Sequence, residues 1–198
     1  MTKSNIALHI VKTAGNLFYA NGYNSTGINE IIEKAAIAKA TLYGHFKSKE
    51  DICITYLELR HTEFIAALKN YIDSRVLGAP QLLAIYDLLL ENYREKGFHG
   101  CWGIKIYGEL PSDNDKIKAV IQQQKKDLLL FLGELVRRNF INVSNAEVEK
   151  ISGGIYLLYE SAITESHLHQ ADWPIHLAKK MAISLFQGMQ MVQKSPGY

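Results

Sequence analysis

Residues 22–52, GYNSTGINEIIEKAAIAKATLYGHFKSKEDI, constrain the fold more than any other part of this 198-residue chain. Within them Ile28, Ile31, Ile32 and Ala35 recur at the i, i+3, i+4, i+7 spacing of one helical face. A second short helix is predicted to begin near Ala38, with Ala38, Leu42 and Phe46 four apart on its inward face. Lys39, Thr41 and the stretch from Tyr43 to His45 then face outward or sit at the margins. Two helices this short do not persist alone in water, so they must pack on something longer. The outward set is basic, hydroxylic and aromatic, which suits phosphate oxygens and base edges. The pattern predicts a helix-turn-helix with its recognition helix near 38–45.

The rest of the chain reads as helix after helix. Residues 4–21 carry Ile10, Ala14, Leu17 and Phe18 on one stripe, and Gly22 fits the position just past a helix end. Ser48 followed by Asp51 gives a capping-box-like start to a long helix over about 49–75, with Lys49 in its first turn. A cation there opposes the helix dipole, which makes sense beside a phosphate. Further helices are predicted over 81–96, 102–109 and 115–139. Ser144 and Glu147 form a capping box for a helix over 145–169 that is apolar around most of its girth. Its Gly153 and Gly154 permit close backbone approach. Pro174 opens a last helix to about 191, with Ala178, Met181, Ala182, Leu185, Phe186, Met189 and Val192 on one stripe. No strand-like alternation is visible.

Composition enters mainly to exclude. An apolar fraction of 47% with 21% charged residues is that of a folded chain, not a disordered one. Residues 1–60 hold seven Lys or Arg against five acids, and the remaining 138 hold 15 of each. The whole surplus of two positive charges therefore lies at the end that carries the short helices. Cys53 and Cys101 make neither a disulfide framework nor a metal pattern, and there is no leader and no apolar run able to span a bilayer. A cytoplasmic chain with reduced thiols and no membrane partner is expected. A phosphate-binding Gly loop, an HExxH pair, a nucleophile elbow and a CxxC motif are all lacking, so no enzyme is expected. His167 and His169, with His176 nearby, raise a metal reading. Histidines two apart on a helix point away from each other, so no metal and no cofactor is expected.

The stretch 22–52 resembles the DNA-binding domain of the tetracycline-repressor (TetR) family of bacterial transcription regulators. The resemblance is carried by Gly22-Tyr23, Thr26, Ile28, Ile31, Ala35, Ile37, Leu42-Tyr43, His45-Phe46 and Ser48-Lys49-Glu50, and LYGHFKSKE at 42–50 is its most specific part. It is strong over the first quarter of the chain. Beyond that, length, helical pattern and a looser likeness of GCWGIKIYGELP at 100–111 agree. Family members usually carry Gly, Ser and Gly where this chain has Ala36, Ala38 and Ala40. Ala36 replaces the residue best suited to an unusual turn backbone, and Ala38 leaves the recognition helix without a side-chain cap.

The resemblance implies an all-α fold of about nine helices. A three-helix helix-turn-helix DNA-binding domain would occupy residues 1–50, and a helical effector-binding and dimerisation domain residues 51–198. The expected DNA contacts are Lys39 and Thr41 to base edges, with Thr26, Tyr43, His45 and Lys49 on phosphates. The resemblance also implies a pocket for a small effector. Tyr86, Tyr93, Cys101, Trp102, Tyr107, Tyr156 and Glu160 supply aromatic bodies with polar tips for it. A homodimer pairing helices 145–169 and 174–191 across a two-fold axis is expected. The function so implied is a repressor released from a palindromic double-stranded DNA operator by a small molecule. The alternative is a helix-turn-helix adaptor without an effector.

Overall fold

The computed structural model describes residues 3–192, with side chains from residue 5 onward. Among the described residues there are nine helices: α1 (Lys3–Asn21), α2 (Ile28–Lys34), α3 (Lys39–His45), α4 (Lys49–Asp73), α5 (Ala79–Arg94), α6 (Trp102–Glu109), α7 (Asp115–Asn139), α8 (Asn145–His169) and α9 (Trp173–Ser184). The one extended pairing among them is an isolated bridge between Phe140 and Met191. The chain packs as two units, residues 1–63 with 101–124 and residues 64–100 with 125–198. These are packing units, a different kind of boundary from the functional division expected at residue 50.

In the first unit α2 and α3, seven residues each, have too few hydrogen bonds to stand alone. Each instead lends one fully buried side chain, Ile31 and Leu42, to a core supplied by Ile10, Ala14 and Phe18 of α1 and Ile52 and Leu57 of α4. Ile106 of α6 and Ile117 of α7 complete it. Truncating a side chain as buried as Leu42 to Ala costs about 2–5 kcal/mol. Helix α1 ends where the sequence predicts. Gly22 donates its N–H to the Phe18 carbonyl at 3.0 Å and takes φ 101°, a left-handed conformation that glycine adopts without strain.

In the second unit α5 packs on α8 and α9, which pack on each other. The Ser144–Glu147 capping box is formed, each side chain bonding the other's backbone N–H. Gly154 lets α8 approach Leu185, since a Cβ there would stand 2.6 Å from that side chain, whereas Gly153 opens onto space. The final helix is shorter than its stripe predicts, ending at Ser184 rather than near 191. Phe186 is buried against Phe140, with ring centroids 5.9 Å apart. Ile141 then donates to the Gln190 carbonyl at 3.1 Å and Val192 to that of Asn139 at 3.0 Å. Those tertiary bonds take the segment out of the helix. Leu157 and Leu168, three turns apart on α8, are 67% and 69% exposed, and Trp173, Leu177 and Met181, four apart on α9, are exposed as well. Among the described residues no helix is long and apolar enough to cross a membrane.

Candidate nucleic-acid interface

The recognition helix is built from beneath. Leu42 is fully buried and Phe46 nearly so, while Lys39 and Tyr43 are exposed and Thr41 and His45 half-buried. The turn before it is a Schellman motif. Ala36 donates its N–H to the Glu33 carbonyl at 3.0 Å and Ile37 to that of Ile32 at 3.2 Å. Ala36 takes φ 51°, the left-handed conformation in which the sequence puts alanine instead of glycine. Ala38 is the N-cap of α3, extended and without a side-chain hydrogen bond. From α1, His9 Nε2 reaches the Ala35 carbonyl at 3.0 Å and ties the turn to the long helix. Nothing in local spacing marks His9 for that role, because its partner is 26 residues away.

Two of the six expected DNA contacts make hydrogen bonds within the domain. Thr26 is 0% exposed, and its hydroxyl donates to the Gly22 carbonyl at 2.8 Å, so that side chain closes the α1–α2 turn instead of facing solvent. The Lys49 ammonium donates to the Tyr23 carbonyl at 3.0 Å and the Thr26 carbonyl at 3.1 Å, and lies 4.3 Å from the centroid of the Tyr23 ring. Burial depresses the Lys49 pKa, opposed by the Glu109 carboxylate. Burial likewise pushes the Tyr23 phenol and the Cys53 thiol each up to about 12. At the start of α4, Ser48 Oγ accepts from Asp51 N–H at 3.0 Å, and the Asp51 carboxylate accepts from Lys47 N–H at 3.0 Å.

The same turn is gripped from α6, a contact with no signal in the local sequence. Lys105 donates to the Tyr19 carbonyl at 2.6 Å, covering the acceptor-rich end of α1. The Glu109 carboxylate accepts from Asn24 N–H at 2.7 Å, and the Asn24 amide donates to the Glu109 carbonyl at 2.6 Å. Glu50 at the start of α4 pairs with Lys116 at 3.0 Å.

The model of the bacterial regulatory proteins of the tetR family matches residues 10–54, the span of this packed helix-turn-helix. The chain belongs to the TetR family. The repressor NemR of Escherichia coli is 20% identical over 175 residues, 86% of this chain and 88% of that protein. An HTH-type regulator from the lacX 3′ region of Lactococcus lactis is 26% identical over 159 residues, 75% and 81% of the two chains. Among solved structures, a TetR-family regulator from Streptomyces coelicolor superposes with a TM-score of 0.82 at 22% identity, over 92% of this chain and 94% of that one. Reduced E. coli NemR superposes at 0.81 and 16%, over 96% and 99%. The protein is thus an all-α TetR-fold regulator that binds DNA, in a non-enzymatic family whose members typically dimerise.

The aromatic set expected for a TetR effector pocket divides between the two packing units. In the second unit Tyr86 is fully buried and its hydroxyl donates to the Ile155 carbonyl at 2.9 Å. Burial pushes its pKa up. Tyr93 stands edge-on to Phe98 with centroids 5.2 Å apart, Tyr156 is half-buried, and Glu160 accepts from Lys125 at 2.6 and 2.7 Å. Phe64 and Tyr159, outside the expected pocket set, stack at 6.3 Å there. In the first unit Cys101 is the half-buried N-cap of α6, Trp102 lies under the Arg60 guanidinium at 5.1 Å, and Tyr107 is partly exposed with the Lys118 ammonium 5.9 Å from its ring. Of the histidines, His169 approaches Glu165 at 3.3 Å and His176 approaches Asp172 at 3.5 Å, each one turn away on its own helix.

Proposed function

We propose that the protein is a homodimeric repressor that leaves a palindromic operator when a small molecule binds. Residues 1–50 serve DNA binding and residues 51–198 serve effector binding and dimerisation. The carrying observation is α3 itself, with Lys39 and Tyr43 exposed over a buried Leu42. Lys39 and Thr41 are assigned to base edges and Tyr43 and His45 to phosphates, because lysine donates to guanine O6 and N7 and hydroxyls suit backbone oxygens. The exposed apolar stripes of α8 and α9 support a two-fold interface through those helices. Two recognition helices then enter successive major grooves about 34–36 Å apart. The repressor output is supported by the name of the E. coli relative.

Effector binding is assigned to the second unit, at Tyr86, Tyr93, Tyr156 and Glu160. Binding there lowers operator affinity through α4, which contributes to both units. Coupling of about 1–3 kcal/mol gives a 5- to 150-fold effect. The test is a gel shift of the full chain on the DNA upstream of its gene at low salt, with sedimentation of the bound species. A discrete complex of two chains per duplex is expected, and no shift on any such fragment overturns the reading. The satisfied Tyr86 hydroxyl and the Glu160–Lys125 pair favour a second reading, an adaptor with no effector. A small-molecule library that never shifts the melting temperature or releases DNA selects that reading.

A further inference from the structure

We infer that Glu109 is a positioning residue for DNA binding: with Asn24 it forms a two-way clasp that holds the α1–α2 turn on the end of α6. The inference rests on the DNA-binding reading of this family and on nothing about an effector. Glu109 is the last residue of α6, so its carbonyl is one of those that a helix end leaves without a partner. The Asn24 amide donates to that carbonyl at 2.6 Å, and the Glu109 carboxylate accepts the Asn24 N–H at 2.7 Å. Each residue satisfies the backbone of the other, as the two ends of a capping box do. Here the partners stand 85 positions apart.

The neighbouring residues fit this contact. Gly22 is buried beside it, and a Cβ there would stand 2.7 Å from Glu109 Oε1, so the glycine makes room for the carboxylate. One turn earlier on α6, the Lys105 ammonium donates to the Tyr19 carbonyl at 2.6 Å. Between them, Ile106 is buried in the core to which α1, α2 and α3 contribute. The clasp therefore fixes the turn against a helix that is itself anchored. The turn leads directly into α2, and α2 packs on α3, so the seating of the turn sets where Lys39 and Tyr43 stand.

Charge separates this role from direct contact. A carboxylate repels phosphate, so electrostatics alone makes removal of Glu109 tighten binding to any duplex. Positioning makes the same change weaken binding to the sequence the protein selects. Both hydrogen bonds of the clasp lie at the surface, where they add little to stability, so the fold should survive their loss.

The experiment uses the full chain, below the melting transition of every variant, and a duplex that the wild-type protein selects from a random-sequence pool. Kd is measured on that duplex and on one of scrambled sequence. Glu109→Ala should raise Kd about tenfold on the selected duplex, the scale of one lost base contact. On the scrambled duplex Kd should stay unchanged or fall. Glu109→Gln keeps an acceptor for the Asn24 N–H and should give a smaller rise. It carries the test, by a rise on the selected duplex alone, if the alanine variant does not fold.

An unchanged or lowered Kd on the selected duplex overturns the inference, since the carboxylate then acts by charge or not at all. An equal rise on both duplexes overturns it too, because a general loosening weakens all binding alike. A glutamine variant as weak as the alanine one overturns the clasp, since an acceptor oxygen is then not what matters. A wild-type protein that selects no duplex overturns the DNA-binding reading and the inference together, whereas each of the other failures leaves that reading standing.

Discussion

Ala36→Gly should make this protein more stable, although it removes a methyl group and adds chain entropy. Ala36 sits at φ 51° in a turn whose two hydrogen bonds, Ala36 N–H to Glu33 and Ile37 N–H to Ile32, require that conformation. For an L-residue the left-handed region costs about 1–2 kcal/mol, because Cβ crowds the following carbonyl. Glycine has no Cβ, but it loses about 0.5–1 kcal/mol more than alanine in conformational freedom on folding. The side chain is exposed, so little packing is lost. The difference is a net gain of about 0.5–1 kcal/mol, which raises the melting temperature of a chain this size by about 1–4 °C.

The assay is thermal unfolding by circular dichroism at matched protein concentration, since association shifts the melting temperature. Ala40→Gly is the control. It makes the same chemical change two residues inside α3, where it should destabilise by up to about 1 kcal/mol. Opposite signs from the two substitutions are expected. If both lower the melting temperature by similar amounts, residue 36 is not held in the left-handed region and the strain argument fails.

Ala38→Ser supplies the missing cap at an N-cap already in the extended conformation, and should add about 0.5–1 kcal/mol by urea unfolding; an unchanged midpoint would mean that α3 does not begin at Lys39. Leu157→Asp combined with Leu168→Asp places two carboxylates on the exposed stripe of α8. Burying them across a two-fold interface costs several kcal/mol, so sedimentation should report a monomer with a native spectrum. A persistent dimer would place the interface elsewhere. Burial raises the Cys53 thiol from its ordinary 9.0 to about 12, so the neutral form is favoured by folding. That contribution is complete below pH 9 and is lost as pH rises through about 12. The urea midpoint should fall across that window, less steeply in Cys53→Ala, and identical slopes would show that the thiol is not the titrating group. In native protein at pH 8 a thiol reagent should modify half-buried Cys101 quickly and Cys53 only on unfolding.

Local pattern sufficed wherever a residue's partner lies within a turn or two. The apolar spacing of 28–46 fixed which faces of α2 and α3 are buried, and Leu42 and Phe46 lie beneath the recognition helix as that spacing requires. Gly22 ends α1, and Ser144 with Glu147 opens α8, for reasons contained in a few consecutive residues. Even the strained turn at Ala36 is legible, because the motif needs a left-handed residue there whatever the side chain.

Tertiary structure decided the fate of the polar side chains. Lys49 and Thr26 have the chemistry of phosphate contacts, and the fold also brings carbonyls of the α1–α2 turn within their reach, to which both donate. Lys105 and Glu109 tie α6 to residues about 85 positions earlier, and Phe186 ends α9 early by packing on Phe140. The physical reason is range. Burial of an apolar face follows from periodicity, which the chain carries locally. A hydrogen bond, by contrast, goes to whichever unsatisfied group the fold brings within about 3 Å, and that group is chosen only when distant segments meet.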